Sequence, residues 1–463
     1  MAHSANGSEN WRTMVAGIWQ ELGLPPSSID RLRVTGDQTL PSCFPVTDLA
    51  VATIGCACLA VSELLDLVGK SPCVSVDPRH SSLWFGWSIS PVGWTMPAPW
   101  DPLAGDYRTT DGWIRLHTNA PHHRVAALTA LRCDATREAV AVAVGRWPGD
   151  ELEAAIVDAG GCAATLRTGD AWRRHPQGVA VAAEPVVASA SLATVAAGGW
   201  RPQAGRPLAG LRVLDLTRVL AGPVATRFLA GFGADVLRVD PPGWDEPGVI
   251  PEVTLGKRCI RLDLREAADR EVFERLVAGA DILVHGYRSG ALEGLGYDPD
   301  ALQTLRPGLI DISLNAYGHS GPWSARRGFD SLVQMSSGIA SAGMDWRHAD
   351  RPVPLPVQAL DHATGYLMAT AALSGLMARL SEGKVVRSRL SLARTAKLLM
   401  DHQTGAEGTD FVPPGPADLA DGTEMTSWGP ARRVIVPATV ETCPMVWDRP
   451  ATALGSGIAD WLI

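Results

Sequence analysis

No excess of basic residues marks this chain: across 463 residues, 41 Lys and Arg stand against 49 Asp and Glu, a formal net charge of −8. A chain of that sign is not expected to bind nucleic acid or an anionic membrane as its main partner, since both present dense negative charge. The eight cysteines contain no CxxC pair and no Cys/His spacing suited to zinc, so no bound metal and no disulfide framework are expected. Cys56 and Cys58 lie inside an apolar stretch, where reduced, buried thiols of a cytoplasmic protein are the simplest reading. The N-terminus lacks a basic segment followed by an apolar one, so no signal peptide is expected. The apolar run Leu49–Val61 is too short to span a membrane and is interrupted by Ser62 and Glu63, which makes it a core helix. No GxGxxG follows the first strand at Leu211, which leaves a dinucleotide site without support.

What is present is a globular composition, 46% hydrophobic and 19% charged, on a chain too long for one ordinary core. From Leu211 onward, "LRVLDL", "ADVLRVD", "RCIRLDL", "DILVHGY" and "GLIDISLNAYG" read as short buried strands. Helical stretches such as "VATRFLAGFG" and "REAADREVFERLVAGA" separate them. That alternation predicts βαβ units and a Rossmann-like, doubly wound parallel sheet, class α/β, with ligands beyond the carboxyl ends of the strands. The loops at those ends, 217–223, 285–290 and 315–321, carry Gly with Arg, Tyr, His or Asn, as an anionic ligand requires. "DYRTTDGWIRL" and the helices after it predict a second, smaller α/β domain at 106–185. An Ala/Gly/Ser/Pro-rich linker is expected at 186–207. The expected division is 1–105, 106–185, the linker 186–207, the main domain 208–406, and a linker with C-terminal tail at 407–463. A low-structure stretch is expected at 408–424.

One arrangement occurs twice. "FPVTDLAVATIGCACLAVSELL" (44–65) and "LPVQALDHATGYLMATAALSGLM" (355–377) each run Pro-Val, then Asp, then a small-residue apolar helix. Asp361 and Asp48 thus head helices buried on every side. An Asp there is expected to cap the helix, because its carboxylate satisfies free N–H groups at the positive end of the dipole.

Together these motifs resemble the class III CoA-transferase family, which includes formyl-CoA and carnitine CoA-transferases and α-methylacyl-CoA racemases. The matching text is "LAGLRVLDLTRVLAGPVATRFLAGFGADVLRVDPPG", "GKRCIRLDL", "ADILVHGYRSGALEGLGYD", "NAYGHSGPWSARRGFD" and "VQALDHATG". It covers about 208–400 in the family's order. The N-terminal half resembles the family's later portion, so the chain reads as a permuted or fused version. The resemblance implies that Asp361 is a nucleophile toward an acyl-CoA thioester, with Tyr317 near the acyl group. It implies Arg218, Leu220 and Ala221 beside the CoA adenine and pantetheine, and Tyr287, Arg288 and Asn315 in the same binding loops. Acyl-CoA and a carboxylic acid are then the partners, coenzyme A being substrate rather than a resident cofactor. Family members form interlocked dimers, so a homodimer is among the expected assemblies. Basic residues of the family's pattern are replaced by Pro241, Pro242 and Gly294, and its Asn before an aromatic by Gly286. Arg326 and Arg327 are candidates to replace the missing phosphate contacts. His319 is a loop candidate for substrate contact, whereas His122 and His123 read as structural or exposed.

Two other readings stay open: an α-methylacyl-CoA racemase, and a non-catalytic acyl-CoA-binding or assembly protein. Racemases of the family carry His before the Asp of "GHD", where this chain has Phe329, and phenylalanine cannot carry a proton.

Overall fold

Apolar strands bounded by turns need cover on both faces, and the chain supplies it with helices on each side of one sheet. The structure is a computed structural model that describes residues 10–196, 199–243, 245–402 and 411–462. The boundary expected at 406 and the opening of the 408–424 stretch lie outside the described residues.

The main sheet uses β1 (Ala188–Thr194), β2 (Arg212–Leu216), β3 (Asp235–Asp240), β4 (Lys257–Arg261), β5 (Ile282–His285), β6 (Ile310–Asn315) and β7 (Lys384–Ser391). Four helices pack around its crevice: α1 (Val46–Asp66), α2 (Ala221–Gly231), α3 (Asp330–Ser337) and α4 (Ala359–Glu382). The seven strands lie in the order β4-β3-β2-β5-β6-β7-β1. All neighbours are parallel except β1, which runs antiparallel to β7. Alternate residues divide between two cores: Val213, Val236, Ile282 and Ile312 face α1, α2 and α4. Leu214, Leu237 and Leu283 face Phe273, Leu276 and Leu302 on the other side. Strand order reverses between β2 and β5, and there the loops leaving their carboxyl ends part to form a crevice.

β1 corrects the sequence reading, which made 186–207 a linker. An edge strand needs only backbone donors and acceptors on one side, and small Ala and Ser residues supply them without a core face. The helix at 46–66 is also longer than the run Leu49–Val61 suggested. With 21 residues it is long and apolar enough to cross a membrane, but 94% of its apolar window is buried inside the protein, packed on α4. The polar residues do not end it because each finds a partner: Ser62 Oγ donates to the Pro72 carbonyl at 2.7 Å, and Glu63 pairs with Arg31.

The segment 106–185 has its own antiparallel sheet (Gly105–Arg108, Trp113–Leu116, Ala163–Thr165) and its own core around Tyr107, Ile114, Leu131, Leu152 and Ile156. The C-terminal segment returns to the N-terminal half, where Ala438–Val440 pairs with Val74–Val76 and Gly429–Arg433 with Ile89–Pro91. A buried carboxylate ties three parts of the chain at one point. Glu252 accepts from the Ser88 and Ile89 N–H groups at 3.1 and 3.0 Å, from Arg433 at 3.2 Å, and from Arg227. Its pKa is lowered: the burial that would raise it is outweighed by those two guanidinium groups.

α4 crosses α2 at Gly365, where a Cβ would lie 2.4 Å from the Ala221 carbonyl oxygen and 2.8 Å from Val224 Cβ. Only glycine admits so close an approach. Gly365→Ala is expected to destabilise the fold by about 1–3 kcal/mol, the usual cost of overpacking. A thermal melt measures it, and an unchanged Tm would contradict this crossing.

Candidate functional site

Asp361 stands in the first turn of α4 with 6% of its surface exposed, yet it is not the cap that the sequence suggested. Asp330, the first residue of α3, reaches across instead. Its Oδ2 accepts from the N–H groups of Leu360 and Asp361 at 2.9 and 3.0 Å. The helix therefore takes its cap from a second helix, and the side chain of Asp361 remains free of that duty. No hydrogen bond among the described residues reaches the Asp361 carboxylate.

Burial without a partner raises the cost of the charged form, and two nearby carboxylates raise it further. The Asp361 pKa is pushed well above the ordinary value by desolvation first, then by Asp330 and Glu246. Asp330 is pushed up to about 6, mainly by burial, although hydrogen bonds from Gln334 and the two backbone N–H groups favour its charge. Glu246 is pushed up to about 7 by burial.

Two cavities share Asp361. The first, about 300 Å³, opens at the β2/β5 switch point and is lined by Arg218, Ala221, Tyr287, Arg288 and Asn315 together with Asp361. Arg326 and Arg327 also reach it, so its wall is cationic; His122 and His123 reach it too, but burial lowers the pKa of both and favours their neutral form. Arg326 is anchored by Glu153 at 2.7 Å and Arg327 by the Gly160 carbonyl at 3.2 Å, both in the small domain. The second cavity, about 430 Å³, lies on the other side of Asp361. It is walled by Phe85, Trp87 and Trp100 of the N-terminal half and by Leu220, Val249 and Phe329 of the main domain.

The loop between the cavities is pinned from below. Asp215 in β2 accepts from Thr217 N–H at 2.9 Å and Thr226 Oγ1 at 2.6 Å, and pairs with Lys257 at 3.0 Å. Lys257 also donates to the Pro223 carbonyl at 2.9 Å. Both charges are wholly buried, and burial lowers the Lys257 pKa to about 8. Val219, which lines both cavities, adopts φ +64°, and Glu246 accepts from its N–H at 3.1 Å. A β-branched residue in the left-handed region is strained, and such strain persists only where the surroundings enforce it.

The structure thus brings Arg218, Ala221, Tyr287, Arg288, Asn315 and Asp361 to one cavity, with Leu220 lining its neighbour. Tyr317 does not join them. It is fully buried beneath Trp323, its hydroxyl is 3.1 Å from Ser336 Oγ, and it lines neither cavity. Asn315 spends its amide on the Gly318 backbone, accepting at 2.8 Å and donating at 2.7 Å. His319 lines neither cavity, its Nε2 lying 3.0 Å from the Leu390 carbonyl. Asp48 is half-buried in the first turn of α1 and also lines neither cavity.

Sequence reasoning missed Asp330, Glu246, the Asp215–Lys257 pair and the aromatic wall. The first and third left a signal: "GFDSLVQM" sets an Asp at a helix start, and "LDL" sets one inside a buried strand. His117 was also missed. It is 3% exposed, stacked on Phe329 at 3.6 Å, and held neutral by burial, its pKa lowered to about 3. Among the described residues no group of three His, Cys, Asp or Glu converges as a metal site.

Residues 208–431 match the model of CoA-transferase family III. A probable fatty acyl-CoA transferase of Mycobacterium tuberculosis is 33% identical over 234 residues, covering 46% of this chain and 59% of that protein. The human succinyl-CoA:glutarate CoA-transferase is 30% identical over 254 residues, covering 51% and 55%. An Escherichia coli formyl-CoA:oxalate CoA-transferase is 32% identical over 200 residues, covering 40% and 47%. The chain spans about half the length of the curated relatives it matches.

Asp361→Asn removes a buried charge without changing shape. Because the folded-state pKa is raised, the wild-type carboxylate costs stability as pH climbs above its unfolded value near 4. The variant is expected to melt at or above the wild-type temperature at pH 8, with the difference shrinking toward pH 4. A variant that melts lower at pH 8 would show that the carboxylate has a stabilising partner.

Proposed function

We propose, from the match of residues 208–431 to the model of CoA-transferase family III, that this chain transfers CoA from an acyl-CoA to a free carboxylic acid, with Asp361 as the covalent carrier. The observation that carries this reading is the position of Asp361, the one carboxylate among the described residues that lines both the cationic cavity and the aromatic one. Arg218, Arg288, Arg326 and Arg327 supply charge suited to the phosphates of CoA, which puts the thioester between the cavities and the acyl group on the far side of Asp361.

Each step balances without a co-reactant. The Asp361 carboxylate adds to the thioester carbonyl; a C–O bond forms, the C–S bond breaks, and CoA thiolate leaves a mixed anhydride. Thiolate then adds to the aspartyl carbonyl, releasing the first acid and leaving an aspartyl-CoA thioester. The acceptor carboxylate repeats the sequence in reverse, and Asp361 is regenerated as CoA departs on the new acyl group. Desolvation strengthens a carboxylate as nucleophile, since it withdraws the water that would stabilise its charge. Ala221, the first residue of α2, lines the cationic cavity together with Asp361, so the N–H groups at the start of that helix are the donors proposed for an oxyanion site.

The racemase reading lacks its proton carrier at Phe329. His117, packed on that ring, is buried and neutral.

Incubation with an acyl-CoA and intact-mass spectrometry test the proposal. A CoA adduct on wild-type protein that maps to Asp361, and none on Asp361→Asn, is expected. Transfer by Asp361→Asn at the wild-type rate would end it. Since only the ionised carboxylate attacks, kcat/KM is expected to climb with pH above the ordinary carboxylate range. A profile already flat at pH 5 would contradict the raised pKa.

A further inference from the structure

The cavity beyond Asp361 has a charge pattern that selects among acids. Its aromatic and aliphatic wall is joined by Asp101, Asp245, Glu246 and Asp330, and no Lys or Arg is among the described residues lining it. Asp101 is paired with Arg124 at 3.1 Å and Asp245 with Arg261 at 2.7 Å, so these two are neutralised from behind. Glu246 and Asp330 form no such ion pair among the described residues, and His117 and His362 are buried, Nδ1 of each being without a hydrogen-bond partner. A second carboxylate on an acyl group would meet no counter-ion here and would lie beside like charge. An apolar group would instead bury surface against Phe85, Trp87, Trp100 and Phe329, at about 25 cal/mol per Å² of apolar area.

We propose that the acyl groups exchanged at this site belong to bulky apolar monocarboxylic acids, and that the cavity between the N-terminal half and α4 excludes dicarboxylic ones. The inference rests on the proposed CoA transfer and assigns its substrate class. The volume of about 430 Å³ agrees, being far more than a two-carbon or four-carbon diacid fills. The flat faces of Phe329 and His117, stacked at 3.6 Å with 1° between their planes, give the wall its rigidity. It also sets this chain apart from relatives whose names specify glutarate and oxalate.

Binding to Asp361→Asn, which cannot turn over, isolates the acyl contribution. Calorimetry with phenylacetyl-CoA, octanoyl-CoA, succinyl-CoA and free CoA gives the comparison. The apolar thioesters are expected to bind about tenfold or more tighter than CoA, the factor that 1.4 kcal/mol produces. Succinyl-CoA is expected to bind no tighter than CoA. Trp87→Arg, which adds a cation at the exposed rim, is expected to recover succinyl-CoA binding by about tenfold relative to phenylacetyl-CoA. Succinyl-CoA binding tighter than phenylacetyl-CoA in the parent protein would overturn the inference. So would equal affinity for all four ligands. If the apolar preference holds but wild-type protein gives no adduct with any thioester, the cavity assignment stands and the transfer reading falls.

Discussion

Asp330 holds the first turn of α4 by accepting the N–H groups of Leu360 and Asp361, and much of the site depends on that contact. A carboxylate accepting backbone donors at a helix start gains charge-assisted hydrogen bonds, each of about 1.5–3 kcal/mol. The same carboxylate sets a negative charge close to Asp361 and helps to raise its pKa. Anchorage and electrostatic tension thus come from one group. Had Asp361 capped its own helix, its oxygens would be occupied by N–H groups and its charge stabilised, the opposite of what the proposed nucleophile requires.

Holding that turn requires holding what surrounds it. Gly365 lets α4 settle onto α2 at the Ala221 carbonyl, which brings the first turn of α4 over the end of β2. The loop after β2 is fixed from beneath by Asp215 and Lys257, an ion pair with no exposed surface. Such a pair gives little net stability, because desolvation offsets the attraction, but losing one partner is costly. It serves to keep one loop conformation, in which Val219 is held at a positive φ between the two cavities. Glu252 does the same at longer range, joining residues 88–89, 227 and 433.

The parallel sheet was legible from sequence because its signal is local: each of β2 through β6 is an apolar run with a helix or turn beside it. The loops of the switch point were legible for the same reason, since topology places them at strand ends whatever the side chains do. β1 was hidden because an edge strand of Ala and Ser differs little in composition from a linker. The cap on α4 was hidden because Asp330 lies 31 residues before the N–H it binds, and nothing in either segment names the other. Tyr317 shows the opposite failure. The resemblance implied Tyr317 near the acyl group, but Trp323 and Ser336 close over it.

The N-terminal half is where sequence said least and structure adds most. Its repeat of the Asp-helix pattern gives α1, which covers α4, and its Asp48 lines neither cavity. Residues 85–119 then form the far wall of the larger cavity, while the small domain anchors Arg326 and Arg327 in the other. One segment brings aromatic rings and no Lys or Arg to its cavity; the other holds two arginines in place at the cationic one. A carboxylate placed on that boundary faces a polar, cationic environment in one direction and an aromatic, acid-rich one in the other. Such an asymmetry suits a ligand that is anionic at one end and apolar at the other, which is the shape the proposed acyl-CoA substrate has.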